Sequence, residues 1–169
     1  MTNAGRWDQK PNVVPWPPLI YALAAVAGFG LGHTCPIGFG WVWGSVAKVI
    51  GGLSITAGLD LDLSAMIWMR RQRANILPNR AATALVTTGP FAVSRNPIYL
   101  GNTLVIAGAA LAWDNPWYLP AALIAAFAVD RLAIRREEAH LIARYGDAWR
   151  DYAQRTPRWL LPRTTMVHR

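Results

Sequence analysis

The sequence predicts an all-α, polytopic membrane protein with four transmembrane helices and amphipathic helices in a cytoplasmic C-terminal tail. The first observation is composition: of 169 residues, 53% are hydrophobic, only 15% are charged and nine are tryptophan. A soluble domain of this length does not need so much apolar surface, whereas a chain embedded in lipid does. The second is charge placement, because the net charge of +8 comes almost wholly from arginines that flank the apolar segments.

Four apolar segments follow one another along the chain, at residues 19–32, 41–69, 98–113 and 117–134. A spanning helix needs about 20 apolar residues, so the third and fourth segments are short. The sequence "WDNPW" between them predicts a tight turn, and we expect these two segments to form a helical hairpin. The first segment has no small-residue cleavage site after it, so we expect it to be retained and not removed as a signal peptide.

The distribution of arginines predicts the orientation. The loop at 33–40 has no charged residue and the turn at 113–117 has only Asp114, whereas the connection at 70–97 and the tail carry the arginines. By the positive-inside rule, both termini and that connection are expected on the cytoplasmic side of a bacterial inner membrane. The same segregation favours contact with membrane lipid over a nucleic-acid partner.

We expect one domain over residues 1–169, with an N-terminal segment at 1–16, a transmembrane bundle at 17–134 and a tail at 135–169. The tail has apolar and aromatic residues at helical spacings of three and four, namely Leu141, Tyr145, Trp149 and Tyr152. This pattern predicts amphipathic helices, interrupted or bent at Gly146. Helices of this kind are expected to lie on the cytoplasmic membrane face with their aromatic side chains at the interface.

The stretch "SRNPIYLG" places polar residues directly before the third apolar segment. Pro97 suits the first turn of a helix, since no helical N–H is lost there. The amides of the next turn, on Tyr99, Leu100 and Gly101, are expected to be free, with the positive end of the helix dipole behind them. They would receive a carboxylate or another acceptor near Arg95. The alternative is an ordinary capped helix with an arginine anchored at the headgroups.

Two adjacent acids, Glu137 and Glu138, follow the fourth apolar segment near the same membrane face. In a regular helix Glu138 shares a face with Arg131 and Arg135, so we expect these three to pair. Glu137 lies about 100° away and is free to hold a cationic ligand. The alternative is that both acids are solvated surface charges.

Asp60 and Asp62 form a second acidic pair near the end of the second segment. They point to opposite sides of a helix, so at least one is expected to face the bundle or a polar cavity. The alternative is a helix that ends near Leu59, with both acids in the headgroup region. His140 is either a solvated helix residue or an acid–base group.

No metal site is expected. Cys35 is the single cysteine, which excludes an internal disulfide and a paired-cysteine metal site. His33 and Cys35 in the uncharged loop are two residues only, and we interpret them as structural.

Together, "GPFAVSRNPIYLG" and "EEAHLIARYGDAWRDYAQRTPRWLLP" resemble the isoprenylcysteine carboxyl methyltransferase and phospholipid methyltransferase superfamily of integral membrane enzymes. The resemblance covers roughly residues 85 to 162. It implies S-adenosylmethionine as methyl donor, in a cytoplasm-facing pocket built from the last two membrane helices and the tail. It also implies a lipophilic or lipid acceptor that enters between helices.

The resemblance implies roles for particular residues of this chain. The implied catalytic residues are Arg95, Asn96 and Glu137. The implied cofactor-binding residues are Arg95, Asn96, Pro97, Tyr99, Leu100, Gly101, Glu137, Glu138, Tyr145 and Arg158. Asp60 and Asp62 are the candidates for substrate binding, since an amine acceptor needs a base whereas a carboxylate acceptor does not.

Some features leave alternatives open. Prenylcysteine enzymes usually have His where this chain has Asn96, so the acceptor stays open between a carboxyl group and an amine. Related sterol reductases share the C-terminal pattern and use a nicotinamide cofactor, but they carry many more helices. The competing class of function is a non-catalytic membrane scaffold or a small transporter subunit.

Overall fold

The computed structural model describes residues 16–40, 44–74 and 84–160. Within these ranges the chain is all-α and contains no strand, as predicted. The α-helices are α1 (Trp16–Thr34), α2 (Gly44–Arg71), α3 (Pro97–Ala112), α4 (Tyr118–Val129), α5 (Arg135–Tyr145) and α6 (Asp147–Arg155). A 3₁₀ turn covers Gly89–Ala92 and a π-helical segment covers Asp130–Ile134. Predictions about 1–15, Trp41, the part of the connection at 75–83 and the tail beyond Leu160 fall outside the described residues.

Each of the four apolar segments contains a helix, but their lengths differ. Among the described residues only α2, with 28 residues, is long and apolar enough to cross a membrane by length and composition. The next apolar helix, α3, has 16 residues. A crossing by all four helices therefore stays a prediction.

Large apolar side chains cover the outside of α1, α2 and α4. The most exposed include Leu23, Val26, Phe29, Val46, Leu53, Leu123, Ile124 and Phe127. An outward apolar surface of this extent is unfavourable in water and is typical of a surface that meets lipid or a partner. It fits the membrane character predicted from composition.

Glycines bring α2 and α3 into backbone contact. Gly51 on α2 faces Gly108 on α3, and Gly58 on α2 faces Gly101 on α3. On each helix the two glycines are one heptad apart. A Cβ added at Gly58 would lie 2.5 Å from the Gly101 carbonyl oxygen, and one added at Gly108 would lie 2.7 Å from the Gly51 carbonyl oxygen. Small residues at such a seam let helices approach closely in a membrane. The seam fixes α3, whose first turn carries the candidate site.

The core lies between α1, α3 and α4. Its most buried members are Tyr21, Ile106, Ala109, Ala110, Tyr118, Ala122, Ala125, Val129, Ala133 and Ile134. At the end of the bundle away from the candidate site, the Tyr118 ring lies against Gly28, and Asn115 Nδ2 donates to the Gly28 carbonyl at 3.0 Å. These contacts hold the α3–α4 hairpin against α1.

The tail departs from prediction in one respect. Gly146, with φ of 53°, separates α5 from α6 as expected, because glycine tolerates this conformation. The aromatic side chains of α6 do not point to the membrane interface: Trp149 and Tyr152 are both 4% exposed. The Tyr152 hydroxyl donates to the Phe91 carbonyl at 2.6 Å. The interfacial placement was wrong because α6 packs its apolar face on the segment before α3.

Candidate active site

The first turn of α3 is built by Asn96 and Pro97. Asn96 precedes the helix, and its carbonyl accepts the Leu100 amide at 3.0 Å. The amides of Leu100 and Gly101 therefore belong to the helix, and the prediction that they are free was wrong, because the hydrogen bonds of α3 already begin with the Leu100 amide. Pro97, Leu100 and Gly101 are all buried.

The Asn96 side chain does not cap α3. Asn96 is 9% exposed, and its side chain makes no hydrogen bond that caps the helix. Instead, Asn96 Nδ2 donates to the Arg158 carbonyl at 3.0 Å. The ordinary-cap alternative is thus excluded for this side chain. Asn96 instead joins the start of α3 to the end of the tail.

Arg95 is buried and does not lie at the headgroups. Its side chain is 8% exposed, and Nη1 lies 3.0 Å from Glu138 Oε1. Its guanidinium lies 5.4 Å from the centroid of the Trp149 ring. A cation held between a carboxylate and an aromatic face is well stabilised away from water.

Glu138 binds two arginines from distant parts of the chain. Besides Arg95, it accepts from Arg158, whose Nε donates to Glu138 Oε1 at 3.0 Å and whose Nη2 contacts Oε2. Arg158 Nη1 also donates to Asp130 Oδ1 at 3.0 Å. The two acids stabilise the charged guanidinium and raise the pKa of Arg158.

The predicted pairing of Glu138 with Arg131 and Arg135 was wrong. Both arginines form ion pairs with Asp130 instead: Arg131 Nε lies 3.9 Å and Arg135 Nε lies 3.2 Å from Asp130 Oδ2. For Arg131 the reason is the π-helical segment between it and Glu138, because the wider turn rotates the following helix by about 100° relative to a regular one. Arg135 lies in the same regular helix as Glu138, but the wide turn brings it next to Asp130, five residues earlier, which binds its guanidinium.

Glu137 occupies a different environment from its neighbour. The Tyr99 hydroxyl donates to Glu137 Oε1 at 2.8 Å, which connects α3 to α5. Burial raises the pKa of Glu137 to about 7; the Tyr99 hydrogen bond acts against this shift, and the charge of Glu138 adds to it. Glu137, which lies outside the apolar helices, is thus not the solvated surface charge of the alternative.

Tyr99 also ties the site to α1. Its carbonyl accepts hydrogen bonds from the Tyr21 hydroxyl at 2.9 Å and from Thr103 Oγ1 at 2.8 Å. The Tyr21 and Thr103 hydroxyls lie 2.9 Å apart. The backbone beside the Tyr99–Glu137 pair is thereby fixed by two helices.

The two aspartates on α2 differ in position. The helix continues through both to Arg71, so the alternative of an end near Leu59 is excluded. Asp60 is exposed, whereas Asp62 Oδ1 is buried against Gly101 and has no hydrogen-bond partner among the described residues. Asp62 thus faces the bundle, and a role in substrate binding stays a prediction for both.

The remaining candidates lie further from the start of α5. Tyr145 is the last residue of α5 and its ring lies 5.9 Å from the Arg144 guanidinium. His140 is 5% exposed, so the solvated-histidine interpretation was wrong. The described residues contain no group of three or more His, Cys, Asp or Glu that could hold a metal ion.

Two residues of this region were not singled out from the sequence. Ser94 is 1% exposed and binds the tail, and Asp130 pairs with Arg158. An acid near the end of an apolar segment is itself a signal, and Asp130 could have been found by it. Ser94 carries no such signal.

Comparison with known proteins gives the family. The family model described as phospholipid methyltransferase matches residues 46–148, more than half of the chain. This chain belongs to the phospholipid methyltransferase family. The match contains most of α2, the start of α3, the hairpin and both acids of α5, but ends before Trp149 and before Arg158, whose carbonyl accepts the Asn96 side chain.

Individual relatives carry different names. The chain is 35% identical over 115 residues to the nickel-cobalt-cadmium resistance protein NccN of Alcaligenes xylosoxydans xylosoxydans, covering 68% of this chain and 50% of that protein. It is 26% identical over 167 residues to the Delta(14)-sterol reductase of Methylotuvimicrobium alcaliphilum, covering 88% of this chain and 36% of that protein. It is 28% identical over 159 residues to the Delta(14)-sterol reductase LBR of Gallus gallus, covering 84% of this chain and 23% of that protein. The chain spans half or less of each of these relatives.

Proposed function

We propose that this protein is an integral membrane methyltransferase that moves a methyl group from S-adenosylmethionine to a lipophilic acceptor at the cytoplasmic membrane face. The observation that carries the proposal is the division between the two acids. Glu138 is neutralised by Arg95 and Arg158, whereas Glu137 is half-buried and accepts a hydrogen bond from the Tyr99 phenol. A cation is the ligand that such a carboxylate favours, since it stabilises the ionised form.

The residues present fit the polar ends of S-adenosylmethionine. Glu137 would hold the ammonium of its amino-acid part through a charge-assisted hydrogen bond. The carboxylate would lie toward the start of α3, where the positive end of the helix dipole favours an anion. Tyr99 would supply aromatic surface for the adenine.

When bound, S-adenosylmethionine supplies an electrophilic methyl group on a sulfonium. The protein's own contribution is to align the acceptor's lone pair with that methyl group and to exclude bulk water. A carboxylate acceptor needs no base. An amine acceptor must lose a proton, and we propose Asp62, which faces the bundle at Gly101, as the base that accepts it.

The site requires a particular membrane arrangement, which is part of the proposal. We infer four spans with both termini cytoplasmic, in a bacterial inner membrane, so that the start of α3 and the start of α5 meet at one face. A lipid acceptor would enter sideways between helices. The outward apolar side chains of α1, α2 and α4 support this arrangement.

A reductase is the second candidate function. Its support is that the similarity to the two Delta(14)-sterol reductases extends over 88% and 84% of this chain. The same basic and acidic cluster would then face a nicotinamide dinucleotide. A non-catalytic scaffold or transporter subunit would bind neither cofactor.

Ligand binding separates these candidates. Purified protein in detergent is heated with S-adenosylhomocysteine, with NADPH, or with neither. A ligand at a hundred times its dissociation constant adds about 2.7 kcal/mol to stability, which raises the melting temperature clearly. We expect stabilisation by S-adenosylhomocysteine alone. Stabilisation by NADPH alone would favour the reductase, and no shift with either ligand would favour the non-catalytic class.

A further inference from the structure

The residues that follow α6 run along the segment before α3. We call residues 156–159 the strap. The Arg95 amide donates to the Pro157 carbonyl at 2.9 Å, and two side chains donate to the Arg158 carbonyl: Ser94 Oγ at 3.1 Å and Asn96 Nδ2 at 3.0 Å. The strap is therefore attached by hydrogen bonds to three consecutive residues.

Ser94 and Asn96 form a buried, interlocked pair. They are 1% and 9% exposed, and Ser94 Oγ accepts the Asn96 amide at 3.1 Å while it donates to the strap. A hydroxyl can donate and accept at once, so the whole arrangement is satisfied without water. If the strap were absent, the Asn96 Nδ2 donor would lose its acceptor in a buried position, which is costly.

The strap carries Arg158 to the acids. Its carbonyl is held by Ser94 and Asn96, and its guanidinium binds Glu138 and Asp130. Arg158 is thus fixed at both its backbone and its charged end. A substitution of Asn96 would therefore weaken the contact between Arg158 and Glu138 by loosening the strap, without any direct hydrogen bond between Asn96 and Glu138.

We propose that Asn96 and Ser94 are positioning residues: they fix the strap, and the strap keeps Arg158 on Glu138. With both arginines on Glu138, we assign the ligand's cation to Glu137 beside Tyr99. This last step rests on the proposed function; the fixing of the strap does not. The proposal replaces a direct cofactor contact for Asn96 with an action through the tail.

Strap mobility tests the first half without any cofactor. Cys35 is the single cysteine, so Cys35→Ser with Leu160→Cys gives one site for a nitroxide label, at an exposed residue directly after the strap. In this background we expect an electron paramagnetic resonance spectrum typical of restricted label motion. When Asn96→Ala is added, we expect a spectrum typical of faster label motion. Asn96→His should restore restriction, because imidazole Nδ1 lies at the same bond distance from the backbone as the Asn96 amide nitrogen.

Ser94→Ala provides a second route to the same result. It removes the other of the two donors to the Arg158 carbonyl and should therefore also make the label more mobile. Melting curves of each variant show that it is folded. Unchanged label motion in folded Asn96→Ala and Ser94→Ala would overturn the positioning role.

A double-mutant cycle tests the second half. Asn96→Ala and Arg158→Ala should each weaken S-adenosylhomocysteine binding by about tenfold, the size of one hydrogen bond, and together by about the same factor, since both act through the strap. Losses that multiply to about a hundredfold would show that Asn96 acts on the ligand separately and would contradict the proposal. If the unaltered protein binds no S-adenosylhomocysteine, the proposed function fails, and label motion alone then decides whether Asn96 fixes the strap.

Discussion

Glu137 and Glu138 are adjacent residues whose partners assign them different tasks, and two isosteric substitutions test this. Glu137→Gln removes the charge offered to the ligand, so we expect S-adenosylhomocysteine affinity to fall by roughly ten- to a hundredfold, about 1.5–3 kcal/mol. Glu138→Gln leaves Arg95 and Arg158 without their shared carboxylate, so we expect a loss of stability of about 3 kcal/mol.

The two measurements are a binding titration and a melting curve, each made on both variants. Each variant is the matched control for the other, because the chemical change is the same at neighbouring positions. Equal losses of affinity with no loss of stability in Glu138→Gln would contradict the separation of their tasks.

The raised pKa of Glu137 predicts a pH dependence. Burial raises this pKa from 4.5 to about 7, so the folded, ligand-free protein holds a proton that the unfolded chain has released between these values. Glu137 therefore makes the ligand-free protein less stable as pH rises through this window. A cationic ligand binds the ionised form, so its affinity should rise with pH and level off above 7.

Titrations between pH 5.5 and 7.5 measure this effect. Well below the pKa, affinity should fall about tenfold for each pH unit, since only the ionised fraction binds. Glu137→Gln should give a flatter profile at lower affinity. The same slope in Glu137→Gln would place the titrating group elsewhere.

At the residue scale, the sequence predicted which residues lie near one another better than it predicted their contacts. Arg95, Asn96, Glu137 and Glu138 do lie together, but Asn96 contacts a carbonyl 62 residues away in sequence. No local pattern encodes that contact. The predicted partners of Glu138 were wrong because both arginines pair with Asp130 at the π-helical turn, and this turn has no signature in "DRLAI".

At the scale of elements, the seam between α2 and α3 is the contact that places the site. Gly51→Ala should destabilise the protein by about 1–3 kcal/mol, because the new Cβ would lie 2.6 Å from the Gly108 carbonyl oxygen, which is backbone and cannot rotate away. Gly52→Ala is the matched control on the same turn. Nothing lies within 4 Å of its new Cβ, so this change should be neutral or stabilising by up to about 1 kcal/mol.

Thermal unfolding in detergent compares the two glycine variants. If Gly51→Ala has the same melting temperature as the unaltered protein, the backbone contact between α2 and α3 is not as close as described. The same holds if Gly52→Ala loses as much stability as Gly51→Ala.

Helix positions were predictable because apolar runs and breakers mark them in the sequence. The predicted third segment, 98–113, differs from α3 by one residue at each end, and Gly146 ends α5 as expected. The burial of α6 was not predictable in the same way. Its pattern of Trp149 and Tyr152 defines an apolar face but does not say whether lipid or protein covers it.

At the scale of the whole molecule, the site depends on the starts of α3 and α5 facing the same compartment. Reporter fusions after Arg169 should read cytoplasmic and a fusion after Pro36 should read external, because arginine-rich segments resist translocation. A C-terminus on the external side would place the acids and arginines away from the cytoplasmic cofactor.

The most direct test of the central claim is methyl transfer itself. Membranes from cells producing the protein are incubated with S-adenosylmethionine carrying a labelled methyl group, and the label is followed into the extracted lipophilic fraction. Membranes with Glu137→Gln at equal protein level serve as the control. We predict label in a lipophilic product that depends on the protein and is strongly reduced in Glu137→Gln. Equal labelling by membranes with the protein, without it and with the variant would contradict the assignment as a methyltransferase.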